Sequence, residues 1–194
     1  TDIYDLTRAD KFTNLGQLEL IETQTVSSAV ATIDFQSIQG NKYDIHLFAF
    51  NNINGVSTNT EEMTLQVYES GVLETGNVYK QARQGCRANG TFNEQKYTGY
   101  SQIRVSNWDY AANDGANGGY IYVYNAGDSS KMTNFTYHNS GFDSEYGGSG
   151  TYTSKWGSAL LPQVSIVDGF RFKTLFSTNI GSGSISLYGV KAYS

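Results

Sequence analysis

The residues of this sequence whose types could do chemistry are two histidines, one cysteine and a scatter of loop carboxylates. His46 lies in YDIHLFAF (43–50) and His138 in KMTNFTYHN (131–139). Zinc requires three or four ligands at short spacings, and two distant histidines with the lone Cys86 do not supply them. Cys86 sits between Arg83 and Arg87 in QARQGCR, a setting that stabilises a thiolate, but no spacing joins it to a base. There is no G-x-S-x-G elbow, and GSG at 148–150 and 181–183 reads as turn sequence. Paired carboxylates could cleave a glycosidic bond. Asp109, Asp114, Asp128, Asp143 and Glu145 all fall in loop-like sequence, where a hydrolase would need two of them to face each other across a groove. NDGANGG (113–119) and DSEYGGSG (143–150) carry oxygen ligands of the kind calcium takes, Asn113, Asp114 and Asn117 among them. They lack the DxDxDG-type spacing. These residues predict a protein with no catalytic centre, no metal and no cofactor.

The surface signals are of another kind. Tyr120, Tyr122 and Tyr124 alternate with Ile121 and Val123 in GGYIYVYNA (118–126). With Ile121 and Val123 in the core, three rings line the outside, suited to a protein contact or to sugar stacking. With the faces exchanged, the rings are core residues. At the start of the sequence, TDIYDLTRADKF forms a polar arm over 1–16 with room for a turn or two of helix. Its few apolar anchors, Tyr4, Leu6 and Phe12, need a partner surface, and without one the arm is a loose terminus.

The elements that must position these residues have period two from Gln17 onward. LELIE (18–22), AVATIDF (29–35), YDIHLFAF (43–50) and MTLQVYE (63–69) alternate apolar with polar positions. So do TGYSQIRVSNW (98–108), GGYIYVYNA (118–126), KMTNFTYHN (131–139), GTYTSKW (150–156) and GFRFKTLF (169–176). The stretch 71–96 is polar and irregular and reads as long loop with one or two weak strands. GSGSISLYGVKAYS (181–194) is again a strand pattern. An ordered strand in that place is expected to pair with one from far back in the chain. The 194 residues fit one domain over 17–194, with an arm over 1–16 and no linker or repeat. Fifteen Tyr, ten Phe and 21 Gly with a single Pro describe an all-β composition, since aromatic residues favour pleated surfaces and Gly and Asn supply turns. The expected fold is an antiparallel two-sheet sandwich of jelly-roll or Greek-key type.

A formal net charge of −5 and the absence of a basic stripe argue against a nucleic-acid partner. No apolar run is long enough for a membrane span. The polar N-terminal sequence does not read as a signal peptide, and with one Cys there is no internal disulfide framework. Synthesis in the cytoplasm is the expectation.

The order of LIETQTVSSAVATIDFQSI (20–38), YDIHLFAFNNI (43–53), GGYIYVYNA and GFRFKTLFSTNIGSGSISLYGVKAYS (169–194) resembles a group of tailed-bacteriophage virion proteins. In those, a strand beginning LI-x-x-Q-T-V-S precedes a core strand ending F-x-N-I. The chain closes on an S-G-T-I-x-L-Y-G-[VI]-type strand, which GSGSISLYGV matches with Ser184 in place of Thr. The resemblance covers about 17–194 and rests on strand-edge phrases. It implies a jelly-roll module on the virion surface with no catalytic residues to carry over. The short arm favours a capsid decoration (cement) protein that binds the major capsid protein and copies of itself, as a trimer. The alternative is a tail or fibre receptor-binding module that stacks host glycans on Tyr120 and Tyr122.

Overall fold

The computed structural model describes residues 17–56, 61–109, 117–143 and 151–190. The arm with Tyr4, Leu6 and Phe12 lies outside the described residues, as do Asn113, Asp114 and Glu145 and the side chains of Asp109 and Asp143. The strands in chain order are β1 (Leu18–Val26), β2 (Thr32–Phe35), β3 (Ile45–Gly55), β4 (Glu61–Glu69), β5 (Val72–Leu73), β6 (Tyr79–Arg87) and β7 (Phe92–Tyr100). They continue with β8 (Ile103–Asp109), β9 (Asn117–Tyr124), β10 (Met132–Asp143), β11 (Thr151–Val164), β12 (Val167–Thr174) and β13 (Ile180–Val190).

Two antiparallel sheets face each other. The eight-stranded sheet runs β1-β13-β3-β9-β10-β11-β6-β7, and the five-stranded sheet runs β2-β12-β4-β5 with β8 also paired to β4. The strands β1, β13, β3 and β9 opposite β2, β12, β4 and β8 have the connectivity of a jelly roll. Two hairpins are added to it, β6–β7 between β4 and β8, and β10–β11 between β9 and β12. Both extend the larger sheet beyond β9 and give it a broad outer face. The strand pattern read over 181–194, described to Val190 as β13, does pair with elements from the start of the chain, as Leu20 meets Tyr188 on one side and Tyr188 meets Leu47 on the other.

Period two explains why these segments are strands. In β13 the inward residues Ile185 and Leu187 are fully buried while Ser184 and Ser186 face out. In β12, Phe170 and Phe172 alternate with Arg171 and Lys173. Phe48 from the larger sheet meets Phe35, Phe170 and Phe172 from the smaller one edge-on, with centroids 5.3, 5.1 and 5.0 Å apart. Such pairs add to area burial about 0.5–1.5 kcal/mol each. Between β4 and β5, Ser70 and Gly71 both take positive φ (50° and 80°), the geometry of a two-residue hairpin turn whose twist matches its strands.

The stretch 71–96, read as long loop with one or two weak strands, is mostly strand. It holds the short β5, the whole of β6 and the first half of β7, the last two each nine residues long. The alternation is there, but its inward members in β6 are Tyr79, Gln81, Arg83 and Gly85, so hydrophobicity does not report it. Likewise 98–108 is not one strand: the chain turns at Ser101 and Gln102 and passes from the larger sheet to the smaller.

His46 is a core residue. Its ring is fully buried, and Nε2 donates to the Ile38 carbonyl at 2.7 Å, with the Tyr43 ring edge-on at 6.1 Å. Burial pushes its pKa below 6.5. Because the unfolded chain takes up the proton first, this contribution to stability is complete above about pH 6.5 and is lost as pH falls below it. Asp34 acts only in more acidic solution. Burial works against its charge, but hydrogen bonds from Arg171 and Tyr68 hold the carboxyl below its ordinary 3.8. Urea unfolding at about pH 7 and pH 5 should show a drop in wild type that is reduced in His46→Gln. An equal drop in both would dissociate it from this ring.

Candidate functional site: an aromatic groove

The Tyr stripe lies on the outer face. Ile121 and Val123 are fully buried, which turns Tyr120, Tyr122 and Tyr124 away from the core. Strand register sets what stands beside them. Tyr120 is opposite His138, His138 opposite Trp156, Trp156 opposite Gln84 and Gln84 opposite Glu94. This row of large side chains crosses from β9 to β7. The next row, Tyr122, Thr136, Ser158, Ala82 and Lys96, is small in its middle. The third row, Tyr124, Asn134, Leu160, Lys80 and Thr98, rises again.

The outcome is a groove that runs across the strands, floored by Thr136, Ser158 and Ala82. Five strands at about 4.8 Å spacing make it about 19 Å long. Its larger part encloses about 1060 Å³, and an adjoining part of about 380 Å³ shares the same three floor residues. At the β9 end the Tyr124 hydroxyl leans onto Thr136 Oγ1 at 3.2 Å and closes the floor. At the other end β7 is the sheet edge, and the groove is open.

Its aromatic wall is continuous. Ring centroids are separated by 6.3 Å for Phe92–Trp156, 6.3 Å for Trp156–His138, 6.0 Å for His138–Tyr120, 5.7 Å for Tyr120–Tyr122 and 6.3 Å for Tyr122–Tyr124. Trp156 is 37% exposed and Tyr120 42%, so both rings present surface to solvent while neighbouring rings pack against them. Rings already in place lose little freedom when they receive a ligand.

Beneath the groove floor is a buried ionic cluster. A register shift interrupts the β4–β8 pairing, with Glu62 to Thr64 on β4 set against the longer span Trp108 to Arg104 on β8, and the fully buried Glu62 carboxylate reaches the opposite sheet. Oε1 is 2.8 Å from Arg83 Nη2 and 3.8 Å from Lys155 Nζ of that sheet, while Oε2 is 3.6 Å from Nη1 of Arg104 on β8. Arg83 also donates to Gln95 at 2.7 Å and Tyr97 at 3.1 Å. Gly85 leaves room for the Lys155 stem, since a Cβ there would come within 2.7 Å of Lys155 Cγ. Arg83 and Lys155 are the strand neighbours of the groove residues Ala82, Gln84, Ser154 and Trp156. The cluster thus ties the groove's strands to the sheet behind.

The other candidates are dispersed. His46 faces inward and His138 outward, and among the described residues no three His, Cys, Asp or Glu side chains gather to hold a metal. Cys86 is exposed, whereas its neighbour Arg83 is turned inward to Glu62. Asp128 is a turn residue: the Ser130 hydroxyl and Lys131 bind its carboxylate and hold its pKa far below the ordinary value. His138 Nε2 lies 2.7 Å from Ser154 Oγ, the reach of a base to a nucleophile. Ser154 sits in a regular strand, between Ser140 and Cys86, rather than on a strained elbow beside free amides. Sequence reading missed Trp156, His138 and Phe92 as groove residues. In GTYTSKW the inward positions are Thr153 and Lys155, so alternation alone assigns Tyr152 and Trp156 to the core. A polar inward row opposite an aromatic outward one was the available signal.

No family model matches the chain, and no curated protein matches it. Among solved structures it is similar to a protein of unknown function from Shewanella oneidensis MR-1, at 11% identity and a TM-score of 0.32, over 93% of this chain and 78% of that one. It is also similar to the CBM2 module of the evolved Dit of Lactobacillus casei BL23 phage J-1, at 10% identity and a TM-score of 0.26, over 91% of this chain and 80% of that one.

Proposed function

We propose that the protein is a non-catalytic binding module of a virion surface that takes a host glycan in the groove across β9, β10, β11, β6 and β7. The observation that carries this is the continuous aromatic wall beside a floor of hydroxyl and methyl groups. Sugar rings present apolar C–H faces and polar rims, so they need flat aromatic surface and hydrogen-bonding groups together. Trp156, Tyr120 and Tyr122 supply the first, and Thr136, Ser158, Gln84 and His138 the second. The His138–Ser154 contact serves here as a polar fixture. Native electrophoresis through gels containing bacterial surface polysaccharides tests the reading: at least one should retard the protein without releasing soluble sugar. Sugar release would make it a hydrolase, and free migration through all of them would remove the glycan.

Decoration of the head, by contact with the major capsid protein and trimerisation, is supported by a different surface. Leu18 and Leu20 on β1 are 47% and 59% exposed at the edge of the larger sheet, directly after the arm. Copy number separates the two roles. Hundreds of copies per particle mean decoration, and a few to a few tens mean a tail or fibre.

A further inference from the structure

We propose that the glycan carries an acidic group, received by Lys80 and Lys96 at the open, β7 end of the groove. This rests on the glycan reading above and adds the chemistry of the sugar. Lys96 is opposite Ala82 at the end of the floor, and Lys80 is opposite Thr98 and Leu160 one pair along. Lys96 lines the larger part of the groove and Lys80 the smaller. Both are exposed and outward.

Their lack of partners sets them apart from the other exposed lysines that flank turns. Lys42 is 2.7 Å from Glu19, and Lys131 is 2.9 Å from Asp128. Lys80 and Lys96 have no carboxylate within ion-pair distance among the described residues. The acid that lines the groove, Glu94, accepts a hydrogen bond from the Gln84 amide at 2.9 Å. It thus lies toward the ridge of large side chains rather than between the lysines. In a chain of net charge −5, two cations without an ion-pair partner outnumber the one carboxylate of the groove lining, Glu94, and leave the mouth of the aromatic groove locally positive. Screening confines such a site to about 8 Å at physiological salt. It therefore acts on a group already held against Trp156 and the tyrosines, and fixes which way the sugar chain runs.

The test is affinity electrophoresis in gels containing polygalacturonate, glycerol-phosphate teichoic acid, pullulan or galactomannan. The first two carry carboxylate and phosphate, and the last two are neutral. The expected result is retardation by one or both acidic polymers, weakened by added salt and by Lys80→Gln/Lys96→Gln about tenfold. Lys80→Arg/Lys96→Arg should restore it, and Trp156→Ala should abolish it. Retardation by the neutral polymers that ignores the glutamine variant would overturn the acidic group and leave the glycan reading standing. Retardation by acidic polymers that survives Trp156→Ala would make it bulk ion exchange and overturn the proposal. Free migration in all four gels overturns both.

Discussion

Replacing Glu62 by alanine is expected to lower the unfolding free energy by about 3–5 kcal/mol, the usual cost of removing one partner from a buried ion pair. The carboxylate is fully buried, and Arg83, Lys155 and Arg104 all lie within 4.0 Å of it. Without it, Arg83 retains Gln95 and Tyr97 as hydrogen-bond acceptors but has lost the charge that offset its desolvation. Coulombic repulsion among the cations, previously screened by the carboxylate, then acts across the two sheets. Glu62→Gln keeps the volume and one acceptor and should fall between wild type and alanine. Chemical denaturation with an unchanged m-value measures both. A loss below about 1 kcal/mol in the alanine variant would show that the cations move out to water and that the cluster does not join the sheets.

The Trp156→Ala/Tyr120→Ala double variant should lose glycan affinity by about thirtyfold or more, equivalent to about 2 kcal/mol, as expected when aromatic anchors are removed from a binding surface. Its thermal stability should change little. Both rings are more than a third exposed and rest on His138 and each other's row rather than in the core. The combination separates this pair from core aromatics such as Phe48, whose loss would unfold the protein before it affected binding. Val72→Ala, exposed at 70%, serves as the surface control and should bind as wild type. Undiminished affinity in the double variant would move the binding site off this face.

Much of the fold could be read from the sequence because alternation and burial agree over most of it. Where inward residues are Phe, Ile, Leu or Val, as in β9, β12 and β13, the pattern identifies both the strand and its faces. It fails where the interior is polar. In β6 the inward Gln81 and Arg83 read as loop residues, because the groups that make them acceptable inside come from distant strands: Glu62 for Arg83, and the Arg104 backbone and Tyr137 hydroxyl for Gln81. The groove followed the same division. Its Tyr120, Tyr122 and Tyr124 were visible as a stripe, whereas Trp156 was hidden by the polar Thr153 and Lys155 on the face behind it. A transverse site is composed by register between five strands, and no single segment carries that information.

The placement of β13 constrains how the chain can be made. It lies between β1 and β3, so these two early strands are not paired to each other and wait for a segment synthesised more than a hundred positions later. During translation their backbone edges stay open to pairing with other nascent chains, and the sheet cannot zip up progressively from its first hairpin. Such non-local topologies fold slowly. Yield on expression should therefore depend on how long that half-finished sheet must persist before the strand that joins β1 to β3 leaves the ribosome.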